Sequence, residues 1–211
     1  MSKKISQLNA VVTPVETDVL AVVNDAETKR INIGQLATAP HPSYLVWSDL
    51  RVPAHQGLQG PTSKPDYDFT NVGLLFDDSA TESIYVLLQM PHDWKEGSNI
   101  KPHIHWIQSG SGNVVWELQY KWTNVNTLIA GAFTTLTAST PSYSWTSGNL
   151  HQITPFASLS GTGKTISSML QIVLSRLGGD GGDTYSGDAL MFELDFHYQK
   201  DSLGSSQEYT K

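Results

Sequence analysis

Apolar and polar residues alternate with a period of two along much of the chain. In "NVVWELQYKW" (113–122), Val114, Trp116, Leu118, Tyr120 and Trp122 fall on one face, and Glu117, Gln119 and Lys121 on the other. That is the pattern of a half-buried strand. In "ALMFELDFHYQ" (189–199), Leu190, Phe192, Leu194, Phe196 and Tyr198 make one face; Met191, Glu193, Asp195 and His197 make the other. "YLVW" (44–47), "GLLF" (73–76), "ESIYVLLQM" (82–90), "GAFTTLTA" (131–138) and "ISSMLQIVLSRL" (166–177) read as further strands. No segment carries a convincing helical stripe. Many strands joined by irregular links define an all-β chain, an antiparallel β-sandwich of jelly-roll-like type over residues 44–200. The links at 48–72 and 138–150 are long for a compact monomer and are expected to wrap over a neighbouring subunit.

Residues 1–37 follow a different pattern. Small apolar clusters at Ile5 and Leu8, at Val19–Val23, and at Ile31, Ile33 and Leu36 are separated by polar turns such as "NDAETK". They are too few to close a core of their own. The segment reads as an extended arm that buries its apolar side on something else. "TAPHPS" (38–43) follows as a linker, because its two prolines favour extended chain. Residues 201–211, "DSLGSSQEYTK", form a C-terminal tail that can act as a second tether.

Composition narrows the function classes. The 211 residues carry a formal net charge of −7, which disfavours wrapping a phosphate backbone, so no nucleic-acid partner is expected. The absence of cysteine excludes disulfides and thiolate metal sites. No apolar run approaches the ~20 residues of a membrane-spanning helix. The N-terminus also lacks the apolar core of a signal peptide.

Several motifs imitate chemistry. "KPHIHW" (101–106) puts His103 and His105 on one strand face, a common beginning of a metal site. With Gly97 upstream, the spacing resembles the opening of the cupin motif, which implies a metal-dependent enzyme. The resemblance breaks at the next ligand, where Ser109 or Gly110 stands in place of a glutamate. A third ligand can come instead from Glu117, Glu193, Asp195 or His197, or from a ring of His103 or His105 in three chains around a trimer axis. "GGDGGDTYS" (178–186) fits one unit of a calcium-binding nonapeptide repeat, making Asp180, Asp183 and Asp188 a candidate calcium loop. One copy supplies only part of an oxygen shell. "SGTGKT" (160–165) looks like the end of a phosphate-binding loop, but Ser158 stands where its first glycine belongs and a strand follows. Nothing marks a nucleophile elbow. Trp94, Tyr143 and Trp145 are candidate sugar-stacking aromatics, the basis of a carbohydrate-binding alternative.

"KISQLNAVVTPVETDVLAVVNDAETKRINIGQL" (4–36) resembles the N-terminal segment that opens many tailed-bacteriophage virion proteins, especially tail-fibre and other appendage proteins. Ile5, Ser6, Leu8, Asp18, Leu20, Val22, Val23, Thr28, Lys29 and Leu36 hold the places of that pattern. "WSDLRVP" (47–53), "MPHDWKEGSNIKPHIHW" (90–106) and "FELDFHYQKDSLGSSQEYTK" (192–211) are similar to other stretches of phage virion proteins. The resemblance implies a non-enzymatic structural protein without cofactors, made in the host cytoplasm and built into the virion. Its arm residues would attach it to other virion proteins of the tail, portal-adaptor or capsid, and it would be a homo-oligomer, commonly a trimer. A fibre would continue into a long shaft; one globular domain ending at Lys211 fits a short appendage, collar or fibre-adaptor piece, with a capsid decoration protein as the alternative.

Overall fold

The computed structural model describes residues 19–24, 27–32, 46–138 and 144–211. Strands β1 (Val19–Asn24) and β2 (Glu27–Asn32) form a two-stranded antiparallel sheet of their own, with Leu20 opposite Ile31 and Val22 opposite Lys29. Of the expected arm contacts, Leu20, Val22, Val23 and Lys29 fall in this hairpin. Ile5, Leu8, Asp18 and Leu36 lie outside the described residues, as does the 38–43 linker.

The remaining strands make two antiparallel sheets facing each other across one core. The five-stranded sheet runs β10 (Thr134–Ala138), β9 (Trp116–Thr123), β12 (Met169–Leu177), β7 (Thr81–Gln89), β4 (Leu58–Gln59). The six-stranded sheet runs β11 (Leu150–Pro155), β8 (Lys101–Gln108), β13 (Ala189–Lys200), β6 (Gly73–Phe76), β5 (Asp66–Asp68), and β3 (Val46–Pro53) pairs with β13 beside β6. From β7 to β9, and again from β10 to β13, each connection crosses between the sheets. The fold is thus the expected all-β, jelly-roll-like sandwich.

Alternation explains which residues fill the core. Ile84, Val86 and Leu88 of β7, Trp116 and Leu118 of β9, and Leu170, Ile172 and Leu174 of β12 face Ile104 and Trp106 of β8 and Leu194 and Phe196 of β13. Burying each aliphatic side chain of this size contributes roughly 1.5–3 kcal/mol. Trp106 and Trp116 meet edge to face with ring centroids 6.0 Å apart, within the favoured range for aromatic pairs.

Two sequence readings are corrected. Strand β13 is not one uninterrupted alternation: its register against β8 slips between Met191 and Glu193. This β-bulge turns Ala189 and Met191 into the core together with Leu194, Phe196 and Tyr198, leaving Phe192 as the extra residue. The 48–72 link is not a strap for a neighbour either. It contains β3, β4 and β5, which pair with β13, β7 and β6 of the same chain, and a 3-10 turn at Ala54–Gln56. Its short apolar positions are too sparse to show a period. The tail after β13 also returns to its own domain: Lys211 Nζ donates to the Trp94 carbonyl at 2.6 Å and pairs with Asp201.

Candidate functional site

Pro102, Ile104 and Trp106 point into the core, so His103 and His105 stand on the outer face of the six-stranded sheet. The neighbouring strand completes the group. Across the β8–β13 pair, Asp195 lies opposite His103 and Glu193 opposite His105. On the other side of β13, Arg51 of β3 lies opposite Asp195, and Asp49 opposite His197. Strand β11 brings His151 alongside His105. Three imidazoles therefore stand in a row. His103 Nε2 and His105 Nε2 are 3.0 Å apart, and His105 Nδ1 and His151 Nε2 are 2.9 Å apart. In each contact one ring donates and the other accepts. The His197 ring packs on His103 with centroids 4.4 Å apart.

The centre of the group is buried despite its place on an outer face: His103 is 6% and Asp195 4% exposed. Asp195 accepts the N–H of Phe196 on Oδ1 at 2.7 Å, while its Oδ2 lies 3.6 Å from His103 Nε2, beyond hydrogen-bonding distance. Burial, then the charge of Asp49, pushes the Asp195 carboxyl above its ordinary pKa. Burial, then His197, pushes His103 below its own; burial, then His103 and His151, does the same to His105. Both rings are thus biased to the neutral form, the form that ligates metals. Arg51 is held by Glu193 through Nη2 at 2.6 Å and Nε at 3.1 and 3.2 Å. Asp49 Oδ1 lies 3.2 Å from His197 Nε2. Two groups of possible ligand atoms, all within 4.8 Å of one another, result: His103, Asp195 and His197, and His105, Glu193 and Asp195.

The structure sorts the other candidates. Glu117 is on β9 in the opposite sheet, paired with Ser175 and Thr137, and is no partner for the histidines. Asp180, Asp183 and Asp188 do not gather their oxygens within that same 4.8 Å limit. Asp183 is engaged by Arg176, and Asp180 Oδ1 accepts the Gly182 N–H at 2.7 Å. In "SGTGKT", Lys164 donates to the Trp122 carbonyl at 2.6 Å, and the segment turns into β12 rather than a helix. Trp94 is fully buried, so it offers no face to a sugar; Trp145 is half-buried with its Nε1 donating to the Gly148 carbonyl; Tyr143 lies outside the described residues.

Sequence reasoning missed Asp49, Arg51 and His151. The first two sit in the link read as irregular. His151 sits on β11, whose inner positions are polar: Thr154 accepts from Trp106 Nε1 at 3.0 Å, and Gln152 donates to Gln108 at 3.1 Å. An inner face made of satisfied polar groups hides the strand from any hydrophobic count. The visible signal was the single alternation of His151 and Ile153 around Gln152.

No protein-family model and no curated protein matches the chain. Solved structures of similar outline include the carbohydrate-binding module CBM36 in complex with calcium and xylotriose, at 13% identity and TM-score 0.42, covering 70% of this chain and 98% of that one. The CBM36-1 domain of a multidomain xylanase from the hindgut metagenome of Trinervitermes trinervoides is similar at 11% identity and TM-score 0.39, covering 71% and 96%. TmCBM61 in complex with β-1,4-galactotriose follows at 13% identity and TM-score 0.29, covering 76% and 90%. Likeness this remote says nothing of what the chain binds.

Proposed function

We propose that the chain is a non-catalytic structural component of a phage virion, a sandwich attached to the particle through its N-terminal arm. The carrying observation is that β1 and β2 pair with each other and, among the described residues, with no other strand. A lone two-stranded hairpin is marginal in water. A partner that covers its apolar positions would hold it, which is the role the resembling phage segments imply. The outer face of the five-stranded sheet supports contact with further subunits. Leu58 and Leu87 are 72% and 63% exposed there, beside Tyr85 and Phe133, around a hollow of about 450 Å³.

The test is removal of residues 1–37. The shortened chain keeps its circular dichroism spectrum and cooperative melt but no longer co-sediments with particles assembled in its presence. Undiminished incorporation would overturn the anchor.

A second reading, sugar binding, rests on a different observation. A cleft of about 540 Å³ beside β9 is walled by Tyr120, Lys121, Asn124, Thr127, Ser160 and Lys164, groups that suit carbohydrate hydroxyls. Glycan-array binding that disappears in Tyr120→Ala supports it, and an array without hits removes it.

A further inference from the structure

We propose that His103, Asp195 and His197, joined by His105, bind one divalent transition-metal ion on the outer face of the six-stranded sheet. The proposal concerns the sandwich alone and stands whether or not the chain belongs to a virion.

Charge is the first argument. Asp49, Glu193 and Asp195 bring three carboxylates to one patch, and Arg51 supplies one guanidinium, already committed to Glu193. Lys101, the next cation on this face, turns its ammonium over the Trp47 ring at 4.7 Å. The three carboxylates and one guanidinium sum to a formal charge of −2. Asp195 is the worst placed, since it is buried and no cation contacts it within hydrogen-bonding distance. A buried carboxylate without a counter-charge is costly, and a divalent ion supplies the missing charge.

Geometry is the second argument. The candidate ligand atoms of His103, Asp195 and His197 already lie within 4.8 Å of one another. Two nitrogens each about 2.1 Å from one ion stand about 3 Å apart when they meet it at a right angle. His103 Nε2 and His105 Nε2 have that separation. In the metal-free chain a single proton bridges them; an ion takes its place, and the displaced proton moves to the other ring nitrogen or to solvent. Asp49 beside His197 is the outer carboxylate that metal-binding imidazoles commonly recruit.

Ligand chemistry selects the ion. Imidazoles with a carboxylate suit zinc, nickel, cobalt or ferrous iron, whereas calcium and magnesium prefer shells made of oxygen. Glu193 is tied to Arg51, so the site takes one ion and not two.

The experiment uses the full chain without a histidine tag, stripped with chelator. Cobalt(II) titration is followed by its visible absorption, and zinc(II) titration by calorimetry and melting temperature. The expected result is one ion per chain, with a melting temperature that rises with free zinc and does not respond to magnesium. His103→Ala and Asp195→Asn abolish the cobalt spectrum, and Asp49→Asn weakens binding by about tenfold or more. His55→Ala, on the exposed 3-10 turn of the other end of β3, leaves binding unchanged. Circular dichroism shows that each variant is folded, and His197→Gln replaces any that is not. Binding below one ion per chain, or binding that survives Asp195→Asn in a folded protein, overturns the proposal.

Discussion

Arg176 and Asp183 form a two-pronged pair inside the protein. Arg176 Nε donates to Asp183 Oδ2 at 3.0 Å and Nη2 to Oδ1 at 2.8 Å, and the two side chains are 0% and 1% exposed. The other three guanidinium donors reach the carbonyls of Phe76, Gly187 and Tyr185 at 2.8, 2.6 and 2.7 Å. Asp183 Oδ2 also accepts the Val115 N–H at 3.0 Å. The ion pair thus pins the glycine-rich loop 178–187 to β6 through Arg176 and to the residue preceding β9 through Asp183. The acids that resemble a calcium loop belong to a different device, in which the arginine occupies the place of an ion.

Arg176→Met is expected to destabilise the chain by about 3–5 kcal/mol, because it leaves a buried carboxylate without its partner. Arg176→Met with Asp183→Leu should recover part of that loss, since the orphan charge is gone while three carbonyls still lack donors. Urea unfolding of the two variants checks both statements. Equal losses in the single and double variants would show that the carboxylate is not the source of the cost.

What the sequence reveals about this molecule depends on where the determining contact lies. The strands of β6, β7, β9 and β12 are legible because their apolar residues alternate or run together. The shared face of His103 and His105 is legible for the same reason, and so is the polar face that carries Glu193, Asp195 and His197. Their meeting is not legible: β8 and β13 are about 90 residues apart, and a period of two does not say which strands are neighbours. Phe192 defeats the alternation through a bulge, and β11 defeats it by burying Gln152 and Thr154 as hydrogen-bonded pairs.

Asp195→Asn tests the electrostatics of the histidine cluster apart from any metal. The amide oxygen can still accept the Phe196 N–H, so the substitution removes a buried charge and little else. The metal-free variant should be more stable than the parent, by about 1 kcal/mol. The gain should be read in chelator by chemical denaturation. A loss of stability instead would mean that the carboxylate already has an effective positive partner within the chain.

"SGTGKT" carries two glycines with different physical roles. A Cβ on Gly161 would stand 2.0 Å from the Ser98 carbonyl oxygen and 2.9 Å from the Trp94 ring. Gly163 has open space around it but a φ of +71°. Gly163→Ala is therefore expected to cost about 1 kcal/mol, the usual penalty for a side chain in the left-handed region. Gly161→Ala must displace backbone and should cost several times more. Melting temperatures of the two variants give the order directly, and a larger effect at Gly163 would contradict the close approach at Gly161.

Glu82 gives the molecule a defined response to pH. Its carboxylate sits at the rim of the core, where burial raises its pKa and the charges of Asp77, Asp66 and Asp188 raise it further, against the Asp77 N–H that it accepts at 2.8 Å. An acid whose folded pKa is raised binds more protons in the folded chain than in the unfolded one. Its contribution to stability is therefore present below the unfolded pKa and is lost as pH rises through the folded value. Glu82→Gln keeps an acceptor for the Asp77 N–H and removes the charge. Its melting temperature should exceed that of the parent at pH 7, and the difference should shrink as pH falls into the carboxylate range. Comparing the two proteins at each pH isolates Glu82 from the other acids, which titrate in both. A difference that stays constant from pH 7 to pH 4 would place the effect in packing rather than in the charge.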